Sequence, residues 1–386
     1  MLRTYALLLF LGLGACPHDV FAGQQTKKAE PLLAPVLPAE QAWTVSLPFP
    51  PSAPAAMDEN RVYIPLQGEH FIAIKRETGA TEWTADIESA WQPLVRDGVV
   101  YLAASDELHA LDAASGEHKW RVSLGRGPMA SMALVKDVLV VPVTPDEVWA
   151  FSSSDGHRLW GQSLGGSVGP ASMAVDATAI YLALGERLVR IMLADGTVRW
   201  DHELSGTLRN PTVARDRVFV GSTTNHFYAF EPDRGHLAWT WRFGGDVVGG
   251  TANDTLVFVA SLDNLVRALN RSNGNQVWKQ ALATRPAEPP VVVDGVVAIP
   301  GLASISTFNA KTGTAIGTFE APSELQGLPL IDPAPRPFAV SLIVLTKDGR
   351  ALGLRPTEMM FRERPPEPIT ALPGRPLLRE ASPLEP

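Results

Sequence analysis

A tryptophan recurs along this chain at nearly constant spacing: Trp43, Trp83, Trp120, Trp160, Trp200, Trp239 and Trp278, in steps of 40, 37, 40, 40, 39 and 39 residues. A further step of 39 lands on Gly317, where the ring is missing. From Trp83 onward a glycine stands four residues before each tryptophan: Gly79, Gly116, Gly156, Gly196, Gly235 and Gly274, with Gly313 keeping that place before Gly317. A period near forty means one supersecondary unit repeated, which excludes most other architectures before any motif is considered.

The unit is legible around Trp120. Residues 99–104 (VVYLAA) are β-branched, aromatic or small and suit a buried pleated strand. Ser105-Asp106-Glu107 breaks the chain, and Leu108–Asp112 alternates apolar and polar residues as a strand does. Ala113–Gly116 turns the chain into a third strand carrying Trp120, while Pro93–Gly98 supplies a short leading strand that ends in an Asp-Gly turn. Four strands in about forty residues make the blade of a β-propeller. Second strands starting near Tyr63, Tyr101, Val140, Tyr181, Phe219, Phe258, Ala298 and Ile343 predict an all-β, eight-bladed propeller over residues 41–356. Seven blades is the alternative, because the repeat at 296–319 is degenerate. Trp43 precedes the first hairpin and no tryptophan strand follows the last. The N-terminal strand is therefore expected to complete the eighth blade and close the ring, leaving no free edge there.

Composition narrows the function classes. Only 19% of residues are charged and the net charge is −8, with no basic run, which argues against nucleic acid as a partner. Cys16 is the only cysteine, so no disulfide forms within the chain. A short positive start and an apolar run at Tyr5–Leu13, too short to span a bilayer, read as a signal peptide over residues 1–15. Leu13-Gly14-Ala15-Cys16 resembles a bacterial lipobox, which implies an acyl chain such as palmitate on Cys16. By the same resemblance, Pro17 in place of aspartate favours the outer membrane. Residues 16–40 read as lipidated cysteine plus flexible tether, and 357–386 as a proline-rich disordered tail in which Met359-Met360-Phe361 could dock on the propeller.

The search for chemistry is mostly negative. The eight histidines show no zinc-motif spacing, and there is no nucleophile elbow or phosphate-binding glycine loop. Asp112 suits a turn in which its carboxylate accepts from the backbone two residues on. No catalytic residue, cofactor ligand or metal ligand is expected.

The unit Val100–Trp120, with Leu-His-Ala-Leu-Asp-Ala and Gly-x-x-x-Trp, resembles the PQQ-type propeller repeat. Within that superfamily the chain resembles the BamB-like outer-membrane assembly lipoproteins in length, lipobox and single propeller. It lacks the vicinal cysteine pair of quinoprotein dehydrogenases. The resemblance implies a non-enzymatic periplasmic scaffold, lipid-anchored to the outer membrane, that binds a subunit of the β-barrel assembly machinery. The alternatives are a quinone- or metal-binding propeller enzyme, or a scaffold of an unrelated envelope complex. The resemblance also implies a Leu-Arg loop between blades as the partner contact, which places Leu208 and Arg209 first, in Thr207-Leu208-Arg209-Asn210, and Arg126 and Met129 next. Trp91, Asp246 and Arg285 are expected on the same loop face.

Overall fold

A computed structural model describes residues 37–357 apart from 129, 145–146, 166–171, 294 and 333–338. Cys16, the tether up to residue 36 and the tail from 358 onward, with Met359–Phe361, lie outside the described residues, as does Met129. The described chain forms eight antiparallel four-stranded sheets and contains no helix. Strands within a blade are named A to D from the inside outward. In blade 2 they are Leu94–Arg96, Val99–Ala104, Glu107–Asp112 and His118–Ser123.

The blades stack face to face, so both faces of strands B and C are buried. Val100, Leu102 and Leu111 pack against Tyr63, Phe71 and Trp83 of blade 1. Tyr101, Ala103, Leu108 and Ala110 pack against Leu139, Val141 and Phe151 of blade 3. The side-chain alternation of a strand thus serves two interfaces, which is why these strands read as continuous apolar runs. Eight such clusters occur, one at every blade junction.

The tryptophan ruler acts at these junctions. The Trp83 Nε1 donates to the carbonyl of Ala113 in the next blade at 3.0 Å. Trp43, Trp120, Trp160, Trp200, Trp239 and Trp278 donate in the same way to Arg76, Ser153, Leu193, Pro232, Arg271 and Ala310, at 2.7–3.0 Å. The repeated glycine makes the C–D turn on which the preceding blade's indole lies. At Gly116, φ is +77° and a Cβ would come within 2.6 Å of Trp83. Both its backbone conformation and the close approach demand glycine.

The ring has eight blades, and the N-terminal strand closes it. Ala39–Ser46 is strand D of blade 8 and pairs antiparallel with Arg350–Pro356, inside Leu342–Thr346 and Leu330–Ile331. The described fold includes the last residues of the expected tether, which ends at residue 40. Leu37 is only 3% exposed and belongs to the core between blades 7 and 8. A buried arginine reinforces the closing joint. The Arg76 guanidinium pairs with Asp332 and donates to the carbonyl of Val340, both in blade 8.

Candidate functional site

The D-to-A connections between blades and the B–C turns share one face. Isolated bridges pin several connections to strand B of the blade they enter: Pro51 to Leu66, Leu208 to Ser222, Pro286 to Gly301 and Leu325 to Thr346. Backbone pairing at the root fixes these four connections and leaves their tips free.

This pinning corrects the expectation for Leu208. It is 7% exposed and packs with Tyr181, Leu188, Val218, Val220 and Phe230 between blades 4 and 5. The bridge to Ser222 turns its side chain into the blade core, so it is not an exposed anchor. Arg209 is half-buried, and its Nε donates to the carbonyl of Val247 in the next blade at 3.1 Å. Arg126 and Arg285 are exposed, and neither has a hydrogen bond or ion pair among the described residues. Asp246 is half-buried. Trp91 is also half-buried, and its Nε1 donates to the carbonyl of Pro128 at 3.1 Å. No side-chain geometry brings these candidates into one constellation.

A different patch on the same face does converge. A cavity of about 200 Å³ between blades 1 and 2 is lined by Glu69, Asp86, Glu88, Asp106, Glu107 and His109, among others. None of Glu69, Asp86, Glu88 and Asp106 forms an ion pair among the described residues. An adjoining cavity of about 280 Å³ shares Glu88 and Ser105 and adds Trp91, Ala103 and Pro128. Further round the face, burial pushes the Glu288 carboxyl above its ordinary range, while the charge of Lys347 works against that rise.

The inner strands offer little for a cofactor. They present mainly Val, Ala and Leu, as in Leu94–Arg96, Ala133–Val135 and Val291–Val293. Arg96, on one of them, and Arg215, in the turn after another, are engaged across blades. Arg96 donates to the carbonyls of Leu134 and Lys136, and Arg215 pairs with Asp254 at 2.8 Å beside a cavity of about 550 Å³ at the opposite end. Among the described residues, no three His, Cys, Asp or Glu side chains converge as a metal-binding group.

The family model described as outer membrane protein assembly factor BamB matches residues 38–167, 145–246 and 240–358. Sequence comparison with curated proteins found no significant match. Among solved structures, BamB from Moraxella catarrhalis superposes with TM-score 0.65 at 16% identity, covering 82% of this chain and 99% of that one. A quinohemoprotein alcohol dehydrogenase from Pseudomonas putida HK5 superposes with TM-score 0.63 at 12% identity, covering 90% of this chain and 79% of that one. Sqt1 from Saccharomyces cerevisiae does so with TM-score 0.64 at 10% identity, covering 83% and 98%. At such identities the likenesses establish the fold alone. The family model, by contrast, spans all eight blades with their recurring glycine and tryptophan, and on that ground the chain belongs to the family of the outer membrane protein assembly factor BamB.

Proposed function

We propose that this protein is a non-enzymatic scaffold, held by a lipid on Cys16 at the periplasmic face of the outer membrane. There its loop face holds a protein subunit of the β-barrel assembly machinery. Family membership supports the process, and the lipobox-like Leu13–Cys16 supports the anchor. The observation that carries the scaffold reading is the contrast between the two candidate surfaces. The loop face combines pinned connections with exposed charged tips and two adjoining cavities, whereas Arg96 of an inner strand and Arg215 of the turn after another are tied across blades. Rigid loops with unpaired polar groups suit protein recognition.

The deciding experiment is affinity purification of the full chain from native membranes. Co-elution of a β-barrel assembly subunit supports the reading, and its absence from the eluate removes it. Parallel absorbance titration with pyrroloquinoline quinone tests the enzyme alternative, which stoichiometric binding would reinstate. A Cys16→Ser variant that still fractionates with outer membranes would remove the lipid anchor from the proposal.

A further inference from the structure

We propose that His109 and His118 of blade 2 form a two-imidazole site for a divalent transition-metal ion. The Nδ1 of His109 lies 3.1 Å from the Nε2 of His118. Metal–imidazole bonds of about 2.0–2.1 Å hold two ligand nitrogens about 2.9 Å apart at a right angle and about 3.3 Å apart at the tetrahedral angle. The observed gap falls between these limits, so an ion fits with no rearrangement of the strands.

The surroundings suit this use. The other nitrogen of His109 faces Glu107 Oε2 at 3.5 Å. The carboxylate lies on the side of the far nitrogen, where carboxylates stand behind metal-bound histidines. His109 is 6% exposed, so packing holds its ring in place. His118 is exposed and provides the way in. The cavity bordering His109 carries the carboxylates of Glu69, Asp86, Glu88 and Asp106, whose negative potential attracts a dication. Arg121, the register partner of His109, works against it.

No third protein ligand completes the set among the described residues, so water takes the remaining positions. An all-imidazole donor set selects Cu²⁺, Ni²⁺ or Zn²⁺ over Mg²⁺ and Ca²⁺, with Cu²⁺ the strongest. Without metal, one nitrogen must donate a proton to the other. On binding, that proton moves to the far nitrogen of its own ring and both imidazoles stay neutral; protons in acid compete with the ion for the ligating nitrogens.

The test is calorimetric titration of the purified full chain with Cu²⁺ and Zn²⁺ near neutral pH, with Mg²⁺ as a control. One ion per chain is expected, with affinity lost in His118→Ala and lowered roughly tenfold in Glu107→Gln, which loses only the orienting carboxylate. His157→Ala, at a different turn, retains binding. His118→Ala also removes the bond to the buried His109, so its binding is measured well below its own melting temperature, where circular dichroism shows it folded. Cu²⁺ electron paramagnetic resonance should show two nitrogen ligands in the wild type. Absence of a stoichiometric site, or undiminished affinity in His118→Ala, overturns the proposal.

Discussion

Leu37 packs over Gly317, where a Cβ built on the glycine would lie 3.4 Å from the leucine Cβ. Gly317 holds the outer-strand place that tryptophan fills in blades 1 to 6 and in blade 8. Elsewhere the indole lies on the C–D turn glycine of the next blade. Blade 8 has no such turn, because its C and D strands come from opposite ends of the chain. An indole at 317 would have no glycine turn to cap, and Leu37 fills the space instead.

Leu37→Ala should therefore destabilise the propeller by about 2–4 kcal/mol, the usual result of emptying a core leucine site. Gly317→Trp should destabilise as well, because its ring overlaps Leu37. Deleting residues 17–36 should leave the denaturation midpoint unchanged, deleting 17–38 should lower it, and deleting 17–47 should lower it most. Equal midpoints for the three deletions would contradict closure by Leu37 and the N-terminal strand.

The indole–glycine pairs predict a matched set of effects. Gly116→Ala places a methyl against Trp83 and forces an L-residue to φ near +77°, at a cost above about 1 kcal/mol. Trp83→Phe loses the bond to Ala113 along with part of the ring, costing about 1 kcal/mol for the bond alone. If the ring and the turn are coupled, the double mutant costs less than the sum, as a urea-denaturation double-mutant cycle would reveal.

Asp263 should contribute to acid sensitivity. Burial raises its pKa, but hydrogen bonds from Arg267 and Ser261, the Arg267 charge and the Leu265 N–H outweigh burial, so the folded value is depressed. The stabilisation is present above the unfolded carboxylate value of about 3.9 and is lost as pH falls through the folded value. Asp263→Asn should cost about 2 kcal/mol at neutral pH. The difference from wild type should shrink as pH drops below 4 in thermal melts, and a difference independent of pH would refute this account.

Substitutions on the loop face should separate folding from capture. Leu208→Ala should destabilise by about 2–4 kcal/mol, so its effect on partner binding is read only at matched folded fraction. Arg126→Glu and Arg285→Glu should change stability by less than about 0.5 kcal/mol, because both are exposed. If the proposed interface includes them, capture of the assembly subunit should weaken about tenfold, or about 1.4 kcal/mol. Undiminished capture in a pull-down would move the contact to the cavities between blades 1 and 2.

The sequence by itself determined the ring. A forty-residue period, a glycine four residues before each tryptophan and the phase offset of Trp43 specify strand order and closure and favour eight blades over seven, because each is a local pattern repeated in register. Strands B and C, buried on both faces, announce themselves as apolar runs. The Leu-Arg loop was legible as a connection, but the burial of Leu208 was not. Whether Leu208 points outward depends on the bridge to Ser222, a pairing that no local pattern encodes. Only the tertiary structure seated Leu37 at the one junction without tryptophan, where the two ends of the chain meet. It alone gathered Glu69, Asp86, Glu88 and Asp106 around one cavity, since they come from two blades. His109 and His118 match no metal motif in sequence. The bulge between strands C and D of blade 2 sets the register that brings their nitrogens within bonding reach. Repetition writes a scaffold into the sequence, while a site depends on side chains that meet across strands and blades.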